Sequence, residues 1–401
     1  MKAVTFERKI VRYGAARLAS IRTAGRGAVY GPLSLDTDAR VPPLPGEGWL
    51  RIRPRMAGIC GSDLATVDGR SSRYFETLVA MPFTPGHEVV GQLDDGRRVV
   101  IEPVLGCVAR GITPPCSQCS AGHLGRCERI AFGALKPGLQ SGFCCDTGGG
   151  WSTSMVAHAS QIHEVPADFS DEDAVMVEPA ACAVHAALSP GSLGGAGGGA
   201  VVAVIGAGTL GLLTTAALNA FNPPSHLIIA AKYPEQQRLA MSLGATATVD
   251  PSALIRAVRS ASRSLAIGDG GLERLTGGAD VVFDCVGNDA SITQALRITK
   301  PGGRVVLVGM PASVTVDLTP LWHREIALVG AYAYGVEPVR EGRRTFDLAI
   351  ELVGLKKLGG LVSALYTLDD YEDAIAHAAH AGSRGAVKIA VDMRAEKVGN
   401  R

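Results

Sequence analysis

The chain has 401 residues, 39 Lys and Arg against 38 Asp and Glu, and 47% apolar residues. That length exceeds one average domain and predicts two or three, with enough apolar mass for sizeable cores. The even charge balance gives no footprint for nucleic acid or an anionic membrane, which leaves small molecules as the expected partners.

The opening residues mix charge into every short apolar run and show neither a signal-peptide core nor a small-residue cleavage site. No run reaches the roughly 20 apolar residues of a membrane helix; the longest, around residues 200–218, is broken by Gly206, Gly208 and Gly211. A cytoplasmic location is expected. Residues 1–100 carry short β-type runs, among them Trp49-Leu-Arg-Ile-Arg-Pro with its alternating pattern, and predict a small antiparallel or barrel-like β domain. The stretch 24–45 reads as irregular, turn-rich surface. Cys60 sits in a Gly-Ile-Cys-Gly-Ser-Asp turn, and Gly86-His87-Glu88 follows. A thiolate and an imidazole suit a catalytic zinc that takes a third protein ligand from elsewhere and keeps one position open. The alternative is a structural cysteine and an unrelated loop histidine.

Four of the nine cysteines crowd between Cys107 and Cys127. Cys116-x-x-Cys119 lets two sulfurs reach one ion from a single turn, and Cys127 and Cys107 complete a tetrahedral shell, so a structural zinc is predicted in a lobe too polar to pack itself. His123, inside the lobe, is expected to be a solvated loop residue. An apolar helix then runs from about Val175. Glu178, costly to bury unpaired there, is either the third ligand of the catalytic zinc or a carboxylate capping the helix start.

The glycine-rich stretch 191–199 predicts a domain seam. Beyond it a buried strand, Ala200-Val-Val-Ala-Val-Ile, leads into Gly206-Ala-Gly208-Thr209-Leu210-Gly211 and an apolar helix. In this setting the first glycine permits the turn, the second lets the backbone approach a pyrophosphate, and the third packs helix on strand, so a dinucleotide site is predicted. The next strand ends in Ala231-Lys232-Tyr233, without the acidic residue that accepts an NAD ribose. The cation favours a 2′-phosphate and hence NADP over NAD, unless Lys232 is only a solvent-facing charge. Further αβ alternation predicts a doubly wound parallel sheet, with the strand ends at Val286-Gly287 and Val308-Gly309 facing the cofactor crevice and Tyr332 nearby. Helices are expected over 346–358 and 371–381, and a last strand from Ala386 that rejoins the first domain. The resulting boundaries are 1–187, with the cysteine lobe at 107–127, then 188–336 and 337–401.

Together, Gly58-x-Cys60-Gly61-Ser62-Asp63, Gly86-His87-Glu88, the cysteine lobe, Val177-Glu178-Pro179 and Gly206-x-Gly208-x-x-Gly211 resemble the zinc-containing medium-chain dehydrogenase/reductase family, closest to its polyol, glucose and threonine dehydrogenase branches. The resemblance implies a doubly wound, Rossmann dinucleotide domain beside a β-rich, GroES-like catalytic domain. It implies Cys60, His87 and Glu178 as catalytic zinc ligands, Glu88 as an auxiliary ligand, and Ser62 as the start of a proton relay. The family separates its first lobe cysteine from the second by two residues, a place held by Thr113 here, so either Cys107 serves through an inserted Arg-Gly-Ile-Thr-Pro-Pro loop or the lobe loses a ligand. A homodimer or homotetramer through the nucleotide domain is implied as well.

The expected reaction is hydride transfer between nicotinamide and a secondary alcohol, ketone, polyol or sugar, with Ser62 passing the proton outward. Competing readings are an idle nucleotide-binding or redox-sensing scaffold, an amino-alcohol dehydrogenase, and zinc-free quinone or enoyl reduction. Substrate-pocket residues are expected from the 70–83 loop, Phe143, Trp151 and the 322–334 region.

Overall fold

The computed structural model describes residues 1–189, 199–268 and 273–396. The expected seam at 191–199, Gly199 apart, and residues 397–401 of the polar tail lie outside them. The chain divides into two units: Met1–Glu178, Tyr334–Val336 and Val353–Arg401 form the first, and Pro179–Ala333 with Glu337–Leu352 the second. The division falls inside the helix Val177–Leu188, where no change of composition marks it.

In the first unit a seven-stranded sheet runs in the order Val362–Tyr366, Lys388–Asp392, Trp49–Gly58, Val89–Gln92, Arg98–Ile101, Ile162–Glu164, with Met155–His158 also on Trp49–Gly58. Its pairings are antiparallel except that between Val362–Tyr366 and Lys388–Asp392. Pro54, which cannot donate to a ladder, sits where the register with Val89–Gln92 shifts. The late strand Lys388–Asp392 lies against Trp49–Gly58, with Ala390 opposite Gly58.

Residues 24–45 are more ordered than their composition suggests. Gly27–Tyr30 forms a helical turn, and Leu33–Asp36 pairs antiparallel with Ala3–Phe6. Ala28 and Leu33 join the core. The turn is tied down by fully buried Asp68, which accepts hydrogen bonds from the backbone N–H of Gly25 and Gly27 and from Ser20 Oγ. A four-residue strand with a single deeply buried side chain leaves too little alternation to be read from sequence.

In the second unit six parallel strands stand in the order Ala247–Val249, His226–Ala230, Val201–Ile205, Ala279–Asp284, Thr299–Leu307, Ala327–Gly330. The chain enters at a middle strand, winds outward, and crosses to the other side at Ala279–Asp284. That reversal makes a crevice at the carboxyl ends of the two central strands, where such sheets bind ligands. The helices Thr345–Lys356 and Tyr371–Ala379 follow late in the chain. Among the described residues no helix is long and apolar enough to cross a membrane.

Candidate active site

Three strand ends build the candidate metal centre of the first unit. Trp49–Gly58 runs into Cys60, which caps the helix Gly61–Val67. Val89–Gln92 is entered through Gly86-His87-Glu88, and the Gly58 N–H donates to the Glu88 carbonyl at 2.9 Å. The strand from Lys388 closes the other side, where the Ile59 N–H donates to the Ile389 carbonyl at 2.9 Å. One ligand atom each from Cys60, His87 and Glu88 therefore falls within 4.8 Å of the others.

Burial sharpens this set. His87 and Glu88 are almost inaccessible, at 4% and 1%, and His87 packs on Phe143 with ring centroids 5.7 Å apart. Asp63 accepts a hydrogen bond from the Cys60 N–H through Oδ2, and its Oδ1 lies 3.5 Å from His87 Nδ1. Burial opposes a charged imidazole, but the Asp63 carboxylate and the Cys60 sulfur together outweigh it and raise His87 well above its ordinary value. With Nδ1 turned toward Asp63, Nε2 is the ring nitrogen left for a metal. The buried Oγ of Ser62 has no hydrogen-bond partner among the described residues, and neither does His87 Nδ1. A soft thiolate, an imidazole and a carboxylate with unsatisfied polar atoms beside them fit a zinc ion.

Glu178, expected as the third ligand, is not in that group. Its Oε1 instead accepts the Tyr334 hydroxyl at 2.9 Å. Burial pushes its carboxyl up to about 7, with the negative charge of Glu88 adding to the rise and His87 opposing it. Glu88 takes the place in the cluster, and its two oxygens accept Lys388 Nζ at 2.7 and 2.5 Å. Lys388 is 2% exposed and also donates to the Ile59 carbonyl. Lys388, the pairing of Tyr334 with Glu178 and the orienting role of Asp63 escaped the sequence reading. A lysine inside the apolar run Ala386-Val-Lys-Ile-Ala-Val was the available signal, since such a cation needs a buried carboxylate. Trp151, expected in the substrate pocket, is a core residue at 1% exposure; Gly86, at φ +92°, lies so close that a Cβ there would come 2.5 Å from its ring.

The lobe brings Cys107, Cys116, Cys119 and Cys127 together, with ligand sulfurs within 4.8 Å of one another. Cys107 reaches the group despite the inserted loop, 3.7 Å from Cys127 Sγ. Backbone N–H groups point at the sulfurs, from Cys116 to Cys107 at 3.3 Å and from Cys119 to Cys116 at 3.5 Å. Burial resists ionisation of Cys116, but the N–H groups of Cys119 and Glu128, together with the neighbouring thiols of Cys119 and Cys107, bring its thiol down to about 6. Four convergent sulfurs with one ready to ionise suit tetrahedral zinc.

In the second unit Gly206, Gly208, Lys232 and Val286 line a cavity of about 970 Å³ at the sheet reversal. A Cβ on Gly211 would fall 1.9 Å from the Gly206 carbonyl oxygen, whereas one on Gly208 would meet nothing within 4 Å. Gly208 thus opens a space for a ligand at the start of the helix Thr209–Phe221, whose first turn holds Thr209, Leu210 and Gly211. Lys232 lies 5.6 Å from the Tyr233 ring centroid. Val308 and Gly309 follow the neighbouring strand, and their N–H groups donate to the Asp284 carbonyl at 2.9 and 2.8 Å. The buried Asp284 carboxylate also accepts the N–H groups of Val286 and Gly287. Tyr332 is half-exposed.

Residues 46–167 match the alcohol dehydrogenase GroES-like domain family, and residues 209–354 match the zinc-binding dehydrogenase family. The chain is 28% identical to an L-idonate 5-dehydrogenase of Vitis vinifera over 86% of this chain and 88% of that protein. It is 29% identical to a sorbitol dehydrogenase of Arabidopsis thaliana over 79% and 80%. A zinc-binding dehydrogenase structure from Sinorhizobium meliloti 1021 bound to NADP superposes with a TM-score of 0.66 at 26% identity, covering 90% of this chain and 95% of that one. The chain belongs to the zinc-containing, alcohol dehydrogenase-like medium-chain family. It is an oxidoreductase that uses zinc and a nicotinamide cofactor to interconvert alcohols and carbonyl compounds.

Proposed function

We propose that this enzyme is a polyol or sugar dehydrogenase that exchanges hydride between a secondary carbinol carbon and NADP, with Cys60, His87 and Glu88 holding the catalytic zinc. The observation that carries the reading is the convergence of those three ligand atoms within 4.8 Å. The curated relatives named as sorbitol, L-idonate and D-xylulose enzymes support the substrate class. Zinc, when bound, supplies a Lewis acid that polarises a carbonyl or eases loss of an alcohol proton.

The protein's own residues do the remainder. Asp63 fixes the His87 ring, and Lys388 orients the Glu88 carboxylate. The unpartnered Ser62 hydroxyl accepts the alcohol proton and hands it outward. The turn from Gly206 to Gly211 receives the diphosphate, and Lys232 receives the 2′-phosphate, so NADP is preferred over NAD. The lobe cysteines Cys107, Cys116, Cys119 and Cys127 hold a second, structural zinc. The open edge at Ala327–Gly330, with Leu328 exposed, supports a homodimer formed through the nucleotide unit, or a tetramer built from it. The cytoplasm is the proposed location.

Turnover of sorbitol, xylitol and L-idonate with NADP⁺ and with NAD⁺ tests this reading. Polyol oxidation favouring NADP⁺ by about tenfold is expected, as is reversal of that preference in Lys232→Asp. Indifference to both polyols and to the sugar acid alongside rapid turnover of a simple primary alcohol would sink the substrate class.

A further inference from the structure

The helix Ile10–Arg22 is an excursion between two strands, Ala3–Phe6 and Leu33–Asp36, that pair directly with each other. Its inner side is accounted for. Ala16 is fully buried, and Ser20 Oγ donates to Asp68 at 2.7 Å. Tyr13 and Arg17 lie close to Gly69, whose added Cβ would meet them at 3.3–3.4 Å. The outer side inverts the usual pattern of a surface helix, because Ile10, Val11, Leu18 and Ile21 are 79%, 87%, 71% and 76% exposed. At 3.6 residues per turn Ile10, Gly14, Leu18 and Ile21 form one outward stripe, with Val11 alongside. Such contiguous exposed apolar surface marks an interaction site.

Charge identifies the occupant. Arg8, Lys9, Arg12, Arg17, Arg22 and Arg26 fall in this stretch, and no acidic residue occurs between Glu7 and Asp36. On the helix Arg17 borders the apolar stripe on one side and Arg22 on the other. Lys9 pairs with Glu7 at 2.5 Å, but the remaining cations of the segment leave its charge of one sign although the whole chain is balanced.

We propose that the helix Ile10–Arg22 docks the enzyme on an anionic lipid surface, with Ile10, Val11, Leu18 and Ile21 at the acyl boundary and the flanking cations among the headgroups. An apolar stripe bordered by cations on both sides is the arrangement of an interfacial helix. A second copy is a poor partner, because two such faces would set like charges against each other. The chain's own undescribed end, Lys397-Val-Gly-Asn-Arg401, is basic as well. A single exposed helix with a cation on each side of its apolar stripe suits a broad anionic plane better than one acidic groove.

Flotation of the full-length, zinc-loaded enzyme with phosphatidylcholine vesicles, with and without about 30% phosphatidylglycerol, tests the proposal. Binding to the anionic vesicles at least about tenfold above the neutral ones, falling several-fold at high salt, is expected. Leu18→Glu/Ile21→Glu and Arg17→Ala/Arg22→Ala should each lose that binding while keeping the circular dichroism and the alcohol-dependent turnover of the parent. Equal recovery with both vesicle types, or variants that float like the parent, would overturn it. A change of particle mass by light scattering in Leu18→Glu/Ile21→Glu, without vesicle binding by the parent, would also overturn it and assign the face to contact between copies.

Discussion

A methyl group on Gly58 would fall 1.9 Å from Glu88 Oε2, far inside van der Waals contact. The strand end can therefore carry no side chain while Glu88 keeps its position beside Cys60 and His87. Gly58→Ala should drive the Glu88 carboxylate away, lower the zinc held at this centre, and destabilise the fold by about 1–3 kcal/mol. Metal analysis together with urea unfolding reads both effects; unchanged zinc and unchanged stability would show that Glu88 is not fixed there. Lys388 sets up the complementary test. Its ammonium and the Glu88 carboxylate are 2% and 1% exposed as side chains, so removing one partner leaves the other charged and buried. Lys388→Met should cost about 3–5 kcal/mol in the metal-free protein, and adding Glu88→Gln should recover much of the loss. Losses that simply add would mean the two side chains are not coupled.

The strand–turn–helix element at Val201–Phe221 separates two uses of glycine. Gly211 is a packing residue because a Cβ there runs into the Gly206 carbonyl, and Gly208 is a spacing residue because a Cβ there meets only open room. Gly208→Ala should leave the unfolding midpoint where it is and weaken NADPH binding by about tenfold in a fluorescence titration. Gly211→Ala should lower the midpoint as well. A Gly208→Ala protein that binds NADPH like the parent would remove the diphosphate from this turn. The contrast also explains what the sequence could reveal. Glycines in GxGxxG are demanded by backbone contacts a few residues away, and Cys116-x-x-Cys119 places two sulfurs within one turn, so both motifs were legible. The third member of the Cys60 cluster was legible only as an auxiliary ligand. Glu88 arrives there through strand pairing, and its partner Lys388 stands 300 residues away in the chain, whereas Glu178 attracted attention by sitting in an apolar helix, and its partner Tyr334 comes from 156 residues further along the chain. The helix Ile10–Arg22 was hidden for another reason, since an apolar stripe does not state whether it faces inward or out.

Over the whole molecule, the two groups of metal ligands should contribute unequally to stability. The Cys60 cluster stands at the edge of a large core that includes Phe83, Val89, Phe143 and Trp151, which persists without an ion. The lobe has less to lean on. Arg110 fastens its base through the carbonyls of Leu105 and Phe132, but the cysteine-bearing stretch contains only the short turns Ser117–Ser120 and Leu124–Arg126, neither with a buried residue. The sulfurs must then do through an ion what a core does elsewhere. The purified chain should carry about two zinc ions, and Cys60→Ser and Cys116→Ser should each carry about one. Cys60→Ser should lose turnover and keep nearly the parent unfolding midpoint, whereas Cys116→Ser should unfold roughly 5–10 °C lower. Calorimetry beside metal analysis decides the matter. Equal midpoints in the two variants would mean that Arg110 and its carbonyl partners, not the four thiolates, hold residues 107–127 in shape.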